Sequence, residues 1–200
     1  MKILLLLYLL MFSLLSQATA PVILILGDSL SAAHGFDKRA GWVNLLQARL
    51  GSEGHSYRVV NASISGDTSA GGLTRLPRSL QESQPTILII ELGSNDGLRG
   101  LDLGTTRDNL ADMIDLARSS GCRVLLIGMR MPPNFGKAFT ERFQRMYREL
   151  AREKEVPLMP FLLDGIALRP ELMQGDGLHP NASAQPMLLD NVWERLQPLL

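Results

Sequence analysis

The chain has 200 residues, and its 20 basic and 20 acidic side chains leave no net charge at pH 7. A protein that holds nucleic acid usually carries a basic excess; with none here, and no Lys/Arg run, that class is disfavoured. Cys122 is the only cysteine, so no internal disulfide can form, and no Cys/His cluster suggests a metal or an organic cofactor.

Residues 1–20 read as an export signal. Lys2 supplies the positive start, residues 3–15 are apolar except Tyr8 and Ser13, and Ala18-Thr19-Ala20 has the small-x-small form of a cleavage site. The apolar run is shorter than the roughly 20 residues of a spanning helix. The expectation is a cleaved signal at 1–20 and a single domain at 21–200. That domain would be a periplasmic or secreted monomer with no stable membrane insertion. Its 180 residues suffice for one full-sized core.

Five apolar, mostly branched runs read as strands buried on both faces: 22–26, 57–60, 86–92, 124–129 and 156–161. Helical spacing occupies 42–50, 73–81, 107–119, 139–153 and 184–196. The alternation predicts an α/β fold, a three-layer α/β/α sandwich with a five-stranded, mostly parallel, flavodoxin-like sheet. Cys122 opens the fourth strand and reads as a buried, inert thiol. Trp42 and Trp193 fall on helices and read as core. Polar connections of 8 to 15 residues, 27–41, 61–72, 93–105 and 130–137, follow the first four strands. Loops of that length at the C-terminal edge of a parallel sheet point to a site there.

Gly27-Asp28-Ser29 ends the first strand and presents a hydroxyl at that edge. A serine nucleophile needs an adjacent base, and the chain has three histidines. His55 precedes the second strand, at the wrong end of the sheet. His34 follows Ser29 by five residues; at about 100° per residue a helical turn would swing it off the serine's face, leaving it to line a groove. His179 has the best context, with Asp176 three residues earlier to bind Nδ1–H and leave Nε2 free for Ser29. Gly175 and Gly177 permit the turn, and Pro180 suits the first position of a helix. Donors for a developing oxyanion are available in the Ser29 N–H, the Gly66 N–H and the Asn95 side chain. Gly66 also reads as an ordinary turn glycine and Asn95 as a helix cap.

Gly27-Asp28-Ser29-Leu30, Gly66 within Ser-Gly-Asp-Thr, Gly93-Ser94-Asn95-Asp96 and Asp176-Gly-Leu-His179-Pro resemble the four blocks of the SGNH (GDSL) hydrolases, in that family's order. Their context is similar to the periplasmic branch that hydrolyses acyl-CoA, aryl esters and lysophospholipids. The resemblance implies Ser29 as nucleophile, His179 as base and Asp176 as its orienter. It also implies an oxyanion hole of the Ser29 N–H, the Gly66 N–H and Asn95 Nδ2, with no cofactor. Ser94 stands where that branch often has glycine, and Ala33-His34 replaces a common Gly-Tyr.

Leu98, Leu101, Leu103, Met131, Phe135 and Phe139 are candidates to line an acyl groove, although Leu101 and Phe139 equally read as packing under their loops. A small-molecule acyl ester, thioester or lysophospholipid is favoured over sugar acetates, because few aromatic platforms are available. A deacetylase on the same scaffold is the alternative. A phosphate- or nucleotide-binding protein is disfavoured, since no glycine-rich phosphate loop follows the first strand. A non-catalytic carrier would have no use for Ser29, Asn95, Asp176 and His179 together.

Overall fold

A computed structural model describes residues 20–200. The expected export signal lies outside the described residues, apart from Ala20, which is exposed. The strands are β1 Val22–Gly27, β2 Arg58–Asn61, β3 Ile87–Glu91, β4 Arg123–Ile127 and β5 Leu158–Met159. The helices are α1 Trp42–Ser52, α2 Ser69–Ser83, α3 Ser94–Leu98, α4 Leu103–Ser119, α5 Lys137–Glu153 and α6 Gln185–Leu196.

All strand pairs are parallel, in the order β2-β1-β3-β4-β5. Every residue of β1 and β3 is buried, as their unbroken apolar runs require, whereas the edge strand β2 is half-exposed. Helices α1 and α6 pack together on one face; α2, α4 and α5 form a row on the other. Trp42 and Trp193 enter the core from α1 and α6, the latter beneath the Arg49 guanidinium. The order reverses between β1 and β3, so connections leave these neighbours in opposite directions and open a crevice at their C-terminal ends. Ser29 follows one and Asn95 the other.

The strand after α5 is only two residues long, shorter than the expected 156–161. Pro157 and Pro160 bracket it, and neither has an N–H to extend the ladder. Two connections are shorter than the sequence suggests. Thr68 accepts from Gly71 N–H to start α2 at Ser69, and Asp102 accepts from Thr105 N–H to start α4 at Leu103. A short helix α3 forms where the sequence offered Asn95 as a cap, but its N-cap is Gly93 and Asn95 lies inside it. The helix directly follows Gly93, whose φ of +108° and tight approach to the Tyr147 hydroxyl, 2.3 Å from any added Cβ, admit only glycine. The longest connection, 160–184, instead follows β5. Pro180 does not begin a helix: it bridges to Met173, and α6 begins at Gln185 after a 3-10 turn, Ala182–Ala184, capped by Asn181. Among the described residues no helix is long and apolar enough to cross a membrane.

Candidate active site

Beyond β1 the chain makes one helical turn, in which Ala32 N–H donates to Asp28 O (3.0 Å) and His34 N–H to Ser29 O (3.3 Å). The Asp28 carboxylate accepts from Leu30 N–H through Oδ1 (3.0 Å) and from Asn95 Nδ2 through Oδ2 (3.0 Å). Beneath the turn Glu91, the last residue of β3, accepts from Asp28 N–H (3.2 Å) and the Ser31 hydroxyl (2.7 Å) through Oε2. A Cβ on Gly27 would lie 2.7 Å from that oxygen, so the turn closes over Glu91 only with glycine there. Burial raises the Asp28 carboxyl to about 6 against the pull of the Leu30 N–H, and it raises Glu91 well above the ordinary glutamate range.

Ser29 Oγ lies 2.9 Å from His179 Nε2, and His179 Nδ1 lies 2.6 Å from Asp176 Oδ2. The carboxylate contact assigns the imidazole proton to Nδ1, which leaves Nε2 to accept from the serine hydroxyl. Asp176 Oδ1 accepts from the Leu178 and His179 N–H groups (2.9 and 3.0 Å). Partial desolvation would raise the Asp176 carboxyl. The His179 N–H, the imidazole and the Leu178 N–H together outweigh it and hold the group near 2. The three residues expected to form a relay therefore meet, although 150 positions separate Ser29 from His179.

His34 lies closer than expected. Ala33 adopts a left-handed conformation (φ +58°) that turns the chain out of the helical path, and the His34 ring stands 4.6 Å from that of His179. Gln174 ties the two segments, donating through Nε2 to His34 O (2.8 Å) and Pro180 O (3.0 Å) and through its N–H to His179 O (2.7 Å). His55 is remote, edge-on to Trp193.

Among the described residues the Ser29 and Gly66 N–H groups have no protein acceptor. Gly66 takes φ +80°, and its carbonyl accepts from Arg99 Nη2 (2.7 Å). Asn95 Nδ2 already donates twice, to Asp28 Oδ2 and to Asp67 O (2.9 Å). Arg75, on α2, steadies the Gly66 loop by pairing with Asp67 (2.7 Å) and donating to the carbonyls of Ala62 and Gly27.

A cavity of about 640 Å³ opens at Ser29, Asn95 and His179, within the range of small-molecule sites, roughly 300–1,000 Å³. Its wall is mainly apolar: Leu98 and Met131, as expected, with Met129, Phe161, Leu163 and Ile166. Leu168, 91 % exposed, and Leu178 stand at its rim. Leu101, Leu103, Phe135 and Phe139 do not line it. Leu101 is exposed, Leu103 and Phe135 pack against the core, and Phe139 stacks between Phe135 and Phe143.

The GDSL-like Lipase/Acylhydrolase family matches residues 25–185, from β1 to the start of α6. The chain belongs to this family. It is 53 % identical to Esterase TesA of Pseudomonas aeruginosa over 92 % of each chain. It is 44 % identical to Thioesterase 1/protease 1/lysophospholipase L1 of Escherichia coli strain K12, over 92 % of this chain and 86 % of that one. The structure of the psychrotrophic esterase EstA from Pseudoalteromonas sp., inhibited by monoethylphosphonate, superimposes with a TM-score of 0.85. It is 38 % identical, covering 89 % of this chain and 97 % of that one.

In this serine hydrolase, sequence reasoning missed Glu91, Asp96, Arg75 and Gln174. Asp96 is buried and accepts from Ser69 N–H (2.9 Å), the Ser69 hydroxyl (2.5 Å) and the Thr106 hydroxyl (3.3 Å), locking α2 and α4 beside Asn95. A carboxylate closing an otherwise apolar strand was the one available signal, at Glu91. Nothing in periodicity marked Arg75 or Gln174, whose partners are distant in sequence.

Proposed function

We propose that this hydrolase cleaves acyl esters and thioesters through an acyl-enzyme on Ser29. The observation that carries the reading is the Asp176–His179–Ser29 relay, with contacts of 2.6 and 2.9 Å, at the mouth of an apolar cavity. Ser29 Oγ attacks the acyl carbon as its proton passes to His179 Nε2, and Asp176 stabilises the imidazolium. The imidazolium then gives that proton to the departing alcohol or thiol. Water attacks the acyl-enzyme with His179 again as base, releasing the carboxylic acid and returning the proton to Ser29.

The unpaired Ser29 and Gly66 N–H groups and Asn95 Nδ2 supply the oxyanion donors. Both Asn95 N–H bonds have acceptors at rest, so the oxyanion shares one of them in a three-centre bond. The apolar wall holds the acyl chain. This favours fatty acyl thioesters, lysophospholipids and aryl esters over sugar acetates, which need polar and aromatic walls. The enzyme acts as an exported monomer: residues 1–20 direct it to the periplasm and are removed, leaving one domain at 21–200.

An alkyl phosphonate fluorophosphonate-type probe tests the nucleophile: mass spectrometry is expected to find one adduct, on Ser29, and none in Ser29→Ala. A panel of p-nitrophenyl esters of rising acyl length, beside palmitoyl-CoA and a lysophosphatidylcholine, then ranks the substrates. Asn95→Ala is expected to slow acylation by about 10²–10³. An adduct elsewhere, or full ester turnover by Ser29→Ala, overturns the assignment.

A further inference from the structure

Glu91 has no part in the reaction just described, yet it is fully buried at the C-terminal end of β3, directly beneath the nucleophile turn. No cation is among its hydrogen-bonding partners. Oε2 accepts from the Asp28 N–H and the Ser31 hydroxyl, while Oε1 has no donor at all. An ionised carboxylate there would leave a charged oxygen buried without a partner, an arrangement folded proteins avoid. The neighbouring acid, Asp28, differs: each of its oxygens accepts a hydrogen bond, from Leu30 N–H and from Asn95 Nδ2. Two carboxyls sharing one buried site do not both ionise; each accepts two hydrogen bonds, but only Asp28 has a donor on both oxygens, so it keeps the charge.

We propose that Glu91 is a neutral carboxylic acid that donates its Oε1 proton to the Asp28 carboxylate and so acts as a positioning residue. Asp28 in turn fixes Leu30 N–H on the nucleophile side and Asn95 Nδ2 on the oxyanion side. One proton thereby ties the ends of β1 and β3 together behind Ser29. The other titrating groups around the pair are His179 and Asp67, which act on Asp28, and the Tyr147 hydroxyl of α5. Burial and the adjacent Asp28 charge both favour the protonated form of Glu91.

The positioning role rests on the reading of Ser29 as nucleophile; the protonation state does not. Infrared difference spectroscopy therefore tests the proton on its own, comparing wild type with Glu91→Gln at neutral pH. A carboxylic-acid C=O band is expected to disappear in Glu91→Gln and to persist in Ser29→Ala, which does not turn over. Kinetics test the role. Glutamine places an N–H where the acid has its O–H and keeps an acceptor for Asp28 N–H and Ser31. Glu91→Gln should hold kcat within about threefold and leave the pH profile unchanged. Glu91→Ala should lower kcat by about 10–100-fold with KM little altered, the loss of one charge-assisted hydrogen bond. Should Glu91→Ala fail to fold, the glutamine variant and the infrared band decide. The absence of any acid band lost in Glu91→Gln overturns the neutral carboxyl. A loss of kcat in folded Glu91→Gln as large as that expected for alanine overturns the positioning role.

Discussion

Ser29 stands two residues beyond a strand whose every residue is buried, in a turn held from below by Glu91 and from the side by Asn61, whose Nδ2 donates to Ser31 O (2.8 Å). His179 stands within the 25 residues that separate β5 from α6, preceded by four exposed residues, Gly175 to Leu178. The regular backbone next to His179 in sequence is the single bridge of Met173 to Pro180. One half of the relay inherits the rigidity of the sheet, and the other depends on a few loop hydrogen bonds. Such segments open locally at far lower free energy than core strands. Misplacement by about 1 Å costs catalysis heavily, so the loop side is where modest changes should alter rate without altering the fold.

Asp176→Asn tests that side most severely. An amide no longer binds Nδ1–H as a charged acceptor and permits the wrong tautomer, so kcat/KM should fall by about 10²–10⁴ with the fold intact. The same variant carries a stability signature. Between the ordinary value of 3.8 and the folded value near 2, the native state binds fewer protons at Asp176 than the unfolded state does. The wild type therefore loses this stabilisation as pH falls through that window, and Asp176→Asn should not. Parallel acid-unfolding curves and rates check both statements; an unchanged rate would remove Asp176 from the relay.

Gln174→Ala should act more gently. It removes the side-chain link to His34 O and Pro180 O but keeps the backbone bond from residue 174 to His179 O. kcat should drop by about tenfold with KM preserved. Amide exchange should quicken across 173–180 and stay unchanged across 22–31. Equal quickening in both segments would mean that the two halves do not differ in rigidity as their structures imply.

How far the sequence revealed this site follows the same division. The strands, the parallel class and the polar C-terminal edge were legible because unbroken apolar runs such as Val22 to Leu26 admit few readings. Ser29, Asp176 and His179 were legible because a strand-end hydroxyl and an Asp-x-x-His turn have few chemical uses together. What escaped was set by tertiary partners. Two prolines cut β5 short, Gly93 rather than Asn95 capped a short helix, and Pro180 entered a bridge to Met173 where its dihedral preference suited a helix equally well. The acyl wall was only partly legible, because Leu101 and Phe139 share the composition of Leu98 and Met131 but not their direction.

The smallest effect is expected where the two halves touch. Ala33 holds φ +58°, a conformation costing a residue with a Cβ about 1 kcal/mol or more, and glycine removes that cost. Opposing it, glycine frees the unfolded chain by about 0.4–1 kcal/mol and gives up the packing of a buried methyl. Ala33→Gly should consequently shift stability by less than about 1 kcal/mol in urea titration, because the relieved strain and the two opposing costs nearly cancel. Its kcat should stay within about twofold, because Gln174 still anchors the His34 carbonyl. A large loss of kcat at unchanged stability would mean that the strained alanine, rather than Gln174, keeps the His34 ring against His179 and so sets the loop-borne base in register with the strand-borne nucleophile.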